Sequence, residues 1–428
     1  SSDDPNIVFN LDAVADLRGQ YPALKLEMMI DSINLKNLRL MEDEFRYHGR
    51  LVADLQTADV DYLNGTVDIV NSSIAYNDER YTLDTVRLLA AVEDSTALLQ
   101  LTAEFLTAHL VGSYKLSELS ASVQDIIAMY YQPDSVAPVF EYSPQQFDFS
   151  AQFTRSRFIR GLFPDLTEMK DVLLDGSFNS EEKMLLVKAT APRLVYAGTS
   201  IDEVSFDLNT VDSTMYYSVL INRISIGNLE LINTLLSGTV RQNQLDFGLW
   251  IKDPKDQERY HLGMGLQADA GNFVFHLLED GLLLNYDRWE VDPDNMIAFG
   301  KDGIRTHRFI LRNNGQEMSL QSRDSTLNAP IDLRFNNFRI ETFSKMLESE
   351  LLDMGGGING TATVSRLESS PVFVSDITID RFYFGKDTVG DIILRVNNER
   401  ENVFAADIAI QGNGNDVKLR GDFISPPN

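Results

Sequence analysis

The chain contains no cysteine. This absence excludes disulfide bonds, thiolate catalysis and cysteine-ligated zinc sites. No run of 18 apolar residues occurs, so the sequence predicts no membrane-spanning helix. Basic residues are few, because 37 Lys and Arg stand against 64 Asp and Glu and leave a net charge of −27. Since nucleic acids are bound largely through phosphate contacts with Lys and Arg, no nucleic-acid partner is expected.

Sequence motifs that mark enzymes are missing as well. No Gly-x-Ser-x-Gly elbow and no phosphate-binding loop occurs, and no two histidines have the i, i+4 spacing of a metalloprotease. The five histidines are His48, His109, His261, His276 and His307. The segment Asp292-Pro293-Asp294-Asn295 lacks the glycine and the terminal glutamate of a calcium loop, which favours a polar turn. We therefore expect no enzyme, no metal ion and no cofactor.

What the sequence has in abundance is alternation of apolar and polar residues. This period of two runs from Leu245 to Ile251, from Tyr260 to Ala268 and from Phe404 to Ile410, and also over 99–105 and 185–189. It predicts half-buried strands with one apolar face. Turn residues separate such runs at Asp253-Pro254, Asp269-Ala270-Gly271, Asn313-Asn314-Gly315 and Gly412-Asn413-Gly414. Short turns of this kind are typical of an antiparallel meander.

Helical periodicity is confined to short segments. One amphipathic helix is predicted near 116–132 by Leu116, Leu119, Val123, Ile126, Ile127 and Tyr130. A second is predicted near 341–354 by Phe343, Met346, Leu347, Leu351 and Met354. Weaker helical patterns lie at 162–174 and 228–236.

An internal repeat of the form apolar-x-Gly-polar recurs along the chain. Its glycines are Gly65, Gly112, Gly176, Gly238, Gly360 and Gly421, with Gly300 as a degenerate copy. Most steps are close to 61 residues, which suits about five strands of eight to ten residues each. Several of these glycines are expected to open a strand after a short helix. A regular repeat favours one elongated, solenoid-like body over three separate globules.

The sequence therefore predicts a mostly β fold, an elongated antiparallel sheet curved lengthwise, with a few short amphipathic helices. We divide it into groove repeats at 1–132, 133–328 and 329–428, with 132–144 as the best candidate hinge. The first division carries the helix near 116–132, and the third carries the helix near 341–354. An ordinary closed sandwich core remains the alternative. Both chain ends are expected to be cut points within a longer protein.

A lengthwise-curved sheet would leave an apolar groove able to hold acyl chains. The predicted lining residues are Leu99, Leu101, Phe105, Leu185, Val187, Leu245, Phe247, Leu249, Leu262, Met264, Leu266, Phe404, Ile408 and Ile410. Alternation places those of one strand on the same face. It leaves open which strands line an open groove and which line a closed core.

From residue 329 onward the sequence resembles a known family. The segments that carry the resemblance are Ala329-Pro330-Ile331-Asp332-Leu333, Asn337-Phe338, Phe343-Ser344-Lys345-Met346-Leu347, Gly355-Gly356-Gly357-Ile358-Asn359-Gly360, Pro371-Val372-Phe373 and Asp387-Thr388-Val389-Gly390-Asp391. They resemble the TamB proteins of the translocation and assembly module, in their Bacteroidetes-type form, within the AsmA-like group. The resemblance is specific over about 95 residues and looser elsewhere, including 63–131.

The resemblance implies a β-taco, a repeating β-groove, in the periplasm. It implies a bridge anchored in the inner membrane by a helix outside this segment and reaching the outer membrane. The expected function is transport of phospholipid in the apolar groove in support of outer-membrane biogenesis, with phospholipid acyl chains as ligand and a BamA-like barrel as partner of the parent protein. The alternatives are a scaffold or chaperone for outer-membrane protein assembly and secretion, and a structural β-solenoid adhesin.

Overall fold

The structure is a computed structural model that describes residues 2–4, 6–76, 79–132, 139–227, 229–344, 353–368, 371–400 and 403–424. The chain folds as two compact units. Unit 1 comprises Ser1–Tyr130 and Pro138–Ile224, and unit 2 comprises Tyr131–Ala137 and Ser225–Asn428.

Unit 1 consists almost entirely of strands with two short helices. Its elements are β1 (Ser2–Asp4), β2 (Ile7–Asp16), β3 (Ala23–Asn34), β4 (Phe45–Thr57), β5 (Asn64–Tyr76), β6 (Glu79–Leu83), β7 (Val86–Glu93), β8 (Thr96–Ala103), β9 (Leu106–Ser113), α1 (Leu119–Tyr130), β10 (Gln146–Phe153), α2 (Arg157–Leu162), β11 (Leu166–Met169), β12 (Val172–Asn179), β13 (Met184–Tyr196) and β14 (Thr199–Val211). A further strand, β15 (Thr214–Ile226), spans the boundary between the units.

Each strand of unit 1 pairs antiparallel with a neighbour in the chain. The hydrogen-bonded order is β1-β2-β3-β4-β5-β7-β8-β9-β10-β12-β13-β14. The short strands β6 and β11 pair with the far ends of β5 and β13. This arrangement is the meander that the alternation and the tight turns predict, and the mostly β fold class is confirmed.

Unit 2 contains the remaining strands and the short helix α3. They are β16 (Leu229–Arg241), β17 (Gln244–Lys252), β18 (Glu258–Asp269), β19 (Asn272–Leu284), β20 (Asp287–Arg288), β21 (Glu290–Val291), β22 (Met296–Gly300), β23 (Gly303–His307), β24 (Phe309–Asn313), β25 (Gln316–Ser322), β26 (Ile331–Arg339), α3 (Glu341–Ser344), β27 (Met354–Ser365), β28 (Val372–Phe384), β29 (Asp387–Asn397), β30 (Val403–Gly412) and β31 (Asn415–Ile424).

Two runs of hydrogen-bonded strands make up unit 2. In the first, β16-β17-β18-β19 are joined in order, and β19 then pairs with β20 and with β22, which pairs with β23. In the second, β21 and β24 to β31 form a nine-stranded antiparallel sheet. The two runs interleave in sequence, since β21 belongs to the second while β22 and β23 belong to the first.

The helix predictions have mixed outcomes. The helix near 116–132 is confirmed as α1, Leu119–Tyr130. The helix near 341–354 begins as α3, but residues 345–352, including Met346, Leu347 and Leu351, lie outside the described residues, and Met354 opens β27.

The two weaker helix predictions are wrong. Leu162 ends α2, residues 166–169 form β11, residues 172–174 begin β12, and residues 229–236 lie in β16. Both regions contain a register shift, at Leu166/Glu168 in β11 and at Ile232/Leu235 in β16. A β-bulge displaces the apolar alternation by one position, so that it resembles the spacing of a helix.

Candidate functional site

A continuous apolar face runs through unit 1 from β2 to β14. Residues directly opposite each other on antiparallel strands point to the same face. One row on this face is Ala15, Leu24, Leu55, Gly65, Ala90, Leu99, Leu110, Phe149, Gly176, Val187 and Leu208. The adjacent row is Ala13, Leu26, Ala53, Val67, Leu88, Leu101, Ala108, Ala151, Leu174, Ala189 and Phe206. We call these two rows the unit 1 ladder.

The opposite face of the same strands is charged. Lys25 lies opposite Asp54 with 3.1 Å between Nζ and Oδ2, and Lys188 lies opposite Asp207. Arg87 likewise pairs with Asp68 at 2.7 Å. Exposed ion pairs of this kind contribute little stability, typically about 0–1 kcal/mol. They mark the solvent side of the sheet and leave the unit 1 ladder as the side that needs a cover.

Cover over the unit 1 ladder is uneven. At one end of the strands Phe147 stacks on Phe178 with ring centroids 4.9 Å apart, and Phe178 and Leu185 are buried. Of the predicted lining residues in the two rows, Leu99, Leu101 and Val187 are only half-buried.

Phe105 lies outside the ladder rows, although the alternation predicted a strand through it. Strand β8 ends at Ala103, so Phe105 falls in the turn before β9. Its ring packs against Phe158 of α2 with centroids 5.3 Å apart.

The repeat glycines lie in register with apolar residues of these faces. Gly65, Gly112, Gly176, Gly238, Gly360 and Gly421 are opposite Leu55, Phe147, Phe149, Phe247, Phe335 and Ala406. At Gly176 an added Cβ would lie 2.1 Å from Cζ of Phe149, so the ring occupies the space that a side chain would fill. At Gly65, Gly112 and Gly360 the added Cβ would instead lie 2.2 Å from a carbonyl oxygen of the neighbouring strand, and at Gly421 it would meet nothing within 4 Å, so the repeat glycines have no single packing role. The expectation that these glycines open strands holds only for Gly65, since the others lie inside strands or near their ends.

The predicted residues of β17 and β18 form a second apolar face in unit 2. Three rows cross these strands: Val240-Leu245-Leu266-Phe275-Ile297, Gly238-Phe247-Met264-Leu277 and Leu236-Leu249-Leu262-Leu282. We call these rows the unit 2 ladder. All six lining residues predicted on β17 and β18 belong to it, in direct opposition and half-buried.

One end of the unit 2 ladder enters a closed core. The buried residues Leu277, Leu282, Trp289, Val291, Leu311 and Phe338 pack together, and we call them the Trp289 cluster. The rings of Trp289 and Phe338 have centroids 5.5 Å apart. Leu262 and Met264 pack against this cluster, so this part of the predicted lining borders closed core, whereas Phe247 and Leu249 are not among its neighbours.

A wide bulge in β19 lies next to the cluster. Leu282 pairs with Leu262 and Leu277 with Met264, so residues 278–281 have only Gly263 opposite them. Asn295 fixes this bulge, because its Oδ1 accepts a hydrogen bond from the Leu277 amide and its Nδ2 donates to the Leu277 and Asp292 carbonyls, at 2.8, 2.8 and 2.7 Å. In the sequence, this bulge is visible only as a break in the alternation at 278–281.

The nine-stranded sheet carries its own apolar row. The row is Leu311, Met318, Phe335, Gly360, Ile377, Leu394, Ile408 and Leu419. Exposure rises from 7% at Leu311 to 62% at Leu419. Phe404, Ile408 and Ile410 share this face of β30, and Phe404 is 45% exposed. The last strands therefore present apolar side chains to solvent.

The pKa values of Glu118 and Asp292 are lowered by hydrogen bonds and ion pairs within the fold. Ser143, through its hydroxyl and amide, together with Lys115, lowers the pKa of Glu118 to about 2. The Arg308 guanidinium, 2.7 Å away, holds the pKa of Asp292 below its ordinary value. Both groups stay ionised near neutral pH and are unsuited to proton transfer there.

No family model, no curated protein and no solved structure matches this chain.

The described residues contain no helix long and apolar enough to cross a membrane. Within the same ranges, no group of three or more His, Asp or Glu side chains is placed to hold a metal ion.

Proposed function

We propose that this chain carries phospholipid, with acyl chains lying on the unit 1 and unit 2 ladders and on the apolar row of the nine-stranded sheet. The observation that carries the proposal is the run of half-buried apolar rows across consecutive strands, backed by a charged opposite face. Burial of apolar surface stabilises by roughly 25 cal/mol per Å², and a face without specific polar contacts would let a chain slide along it.

The cellular setting is part of the same proposal. We place the chain in the periplasm, as part of an inner-membrane-anchored bridge that supports outer-membrane biogenesis together with a BamA-like barrel. The support is the resemblance of residues 329–391 to TamB proteins. In this proposal the chain performs no chemical step and uses no cofactor.

The test is native mass spectrometry of the protein purified under mild conditions. Co-purifying phospholipid is expected. Phe247→Glu should abolish it, because a charge on the ladder would have to be desolvated beside an acyl chain. Gln267→Glu on β18 is the matched control, since Gln267 lies opposite Gln244 on the other face.

Met264→Glu adds a second measurement. Met264 packs against the Trp289 cluster, so this variant should lose stability as well as lipid, whereas Phe247→Glu should lose mainly lipid. Lipid retained by a folded Phe247→Glu protein would contradict the assignment of β17, and a protein without lipid under any condition would contradict the function.

A scaffold role is favoured by a different observation. Among the described residues, β31 pairs only with β30, and its side chains Val417 and Leu419, on the apolar face, are exposed. An unpaired edge can accept a further strand from a client protein. Photo-crosslinking from residue 418 would capture unfolded outer-membrane proteins if this role holds, and lipid alone if it does not.

A further inference from the structure

We propose that a cavity beside Trp289 binds the head group of a zwitterionic phospholipid, with an ammonium and a phosphate group. This inference rests on the proposed function and names the head group that the carrier prefers. The cavity has a volume of about 520 Å³. Its wall includes Glu279, Asp280, Leu282, Arg288, Trp289 and Glu290.

Charged side chains of both signs surround this cavity, and several lack an ionic partner. Asp292 is paired with Arg308 at 2.7 Å, and Arg312 is paired with Glu317 at 2.8 Å. Within the described ranges, no ion pair joins Arg288, Glu279, Asp280 or Glu290 to any residue. An uncompensated guanidinium beside uncompensated carboxylates complements a dipolar ligand better than a simple anion or cation.

The indole of Trp289 forms part of the cavity wall, with its N–H turned into the protein interior. Trp289 is only 4% exposed, and its Nε1 has no hydrogen-bond partner among the described residues. A buried indole N–H ordinarily finds an acceptor, because leaving it unpaired costs about 1–3 kcal/mol. Because Nε1 itself is closed to solvent, the charged side chains are the groups that the cavity offers directly to a ligand.

The carboxylates are held by backbone geometry. Glu279 and Asp280 occupy the bulge of β19 that Asn295 fixes through the Leu277 amide and carbonyl. On the opposite wall, the Arg288 carbonyl accepts a hydrogen bond from Nδ2 of Asn313 at 2.6 Å. The two sets of charges are therefore attached to pinned segments of main chain, which limits the ordering that a ligand would require.

The cavity adjoins the buried end of the unit 2 ladder. Leu282 lines the cavity and also ends the row Leu249-Leu262-Leu282. A lipid with its acyl chains on the Leu249 end of that row, outside the Trp289 cluster, would bring its head group toward the charged cavity. The charged side chains of the cavity would contact the head group and not the acyl chains. The preference for one head group can therefore be measured separately from the affinity that the acyl chains provide.

The experiment uses the full chain carrying Trp250→Phe, which leaves Trp289 as its only tryptophan. Trp250 stacks on His261 with centroids 4.7 Å apart, and it alternates with the ladder residues of β17, so it lies on the opposite face. Dihexanoyl phosphatidylethanolamine and dihexanoyl phosphatidylglycerol, both below micelle formation, are titrated against Trp289 fluorescence. Glycerophosphoethanolamine provides an arm without acyl chains.

We expect the ethanolamine lipid to bind at least about threefold more tightly than the glycerol lipid. A difference of this size is what a partly exposed ion pair contributes. Glu279→Gln with Asp280→Asn should bring the two affinities together. Arg288→Gln should weaken both lipids by about threefold. Arg395→Gln, on the charged face of β29, is the control and should change neither.

The outcomes separate the two proposals. Equal affinity for both lipids in the parent protein would overturn the head-group assignment and leave lipid carriage standing. No fluorescence response to either lipid would overturn the cavity assignment, whereas the absence of co-purifying lipid in native mass spectrometry would overturn both proposals. If glycerophosphoethanolamine binds as tightly as the lipid, a soluble phosphodiester rather than a membrane lipid is the ligand, and the lipid assignment of the cavity is wrong.

Discussion

The Trp289 cluster and the β30–β31 edge have the same alternation but opposite surroundings. Leu311 and Leu419 lie in one row of the same sheet, yet they are 7% and 62% exposed. The difference arises because side chains of β19, β21 and β26 meet over Leu311, whereas Leu419 lies on an edge strand. Alternation thus determines which side of a strand is apolar, and cover determines whether that side is core or surface.

The largest expected effect is the loss of stability when the ring of Phe338 is removed from the Trp289 cluster. Phe338→Ala should destabilise unit 2 by about 3–5 kcal/mol, because it leaves a cavity among Trp289, Phe335 and Leu311. Leu419→Ala at the edge should cost less than about 1 kcal/mol. The measurement is urea unfolding followed by tryptophan fluorescence. Equal costs at the two positions would show that the edge is covered in solution.

Next in size is the loss of the asparagine that fixes the bulge. Asn295→Ala removes three hydrogen bonds and leaves the buried Leu277 amide without a partner, for a cost near the upper end of about 1–3 kcal/mol. Asn415→Ala removes a single exposed hydrogen bond to the Val389 carbonyl and should cost at most about 1 kcal/mol. Hydrogen exchange at Leu277 checks the local origin, and unchanged protection there would refute it.

Two glycines of the repeat sharpen the comparison further. Gly360 has φ +127°, and an added Cβ would lie 2.2 Å from the Asp376 carbonyl oxygen, so Gly360→Ala should cost about 1–3 kcal/mol. At Gly421, on the edge strand, nothing lies within 4 Å of the added Cβ. Gly421→Ala should therefore be neutral within about 0.5 kcal/mol. Thermal unfolding of both variants tests this contrast.

The smallest expected effect is a pH dependence of stability that arises from Asp292, next to Val291 of the Trp289 cluster. The pKa of Asp292 is lower in the folded state because of Arg308, so its stabilising contribution is present above the ordinary carboxyl pKa. That contribution is lost as pH falls through the folded pKa. The urea midpoint of the parent protein should thus fall more between pH 6 and pH 3 than that of Asp292→Asn. Parallel curves would contradict this role for the ion pair.

The sequence was sufficient to predict the strands and their apolar faces. Leu245, Phe247 and Leu249 lie directly opposite Leu266, Met264 and Leu262, because a period of two and a tight turn leave little choice of register. It was insufficient where a bulge intervenes. The register shift at Ile232/Leu235 gave β16 the apolar spacing of a helix. The bulge at 278–281 departs from the alternation, so the cavity beside Trp289 was not predicted.

No local sequence pattern predicts which apolar side chains are covered by other strands. Met264 and Phe247 face each other across two strands, yet only Met264 packs against the Trp289 cluster. What closes over Met264 comes from β21, β24 and β26, which are distant in sequence. Such contacts depend on tertiary packing, and the alternation of a single strand contains no information about them.

The meander has a kinetic consequence. Because nearly every strand pairs with the next strand or the next but one, most ladder contacts join residues close in sequence. Loop-closure entropy is then small for each added hairpin, and contact order is low for a β protein. Such a chain can fold by adding hairpins one after another as it emerges from a ribosome or a translocation pore, since each completed strand offers a template for the one that follows.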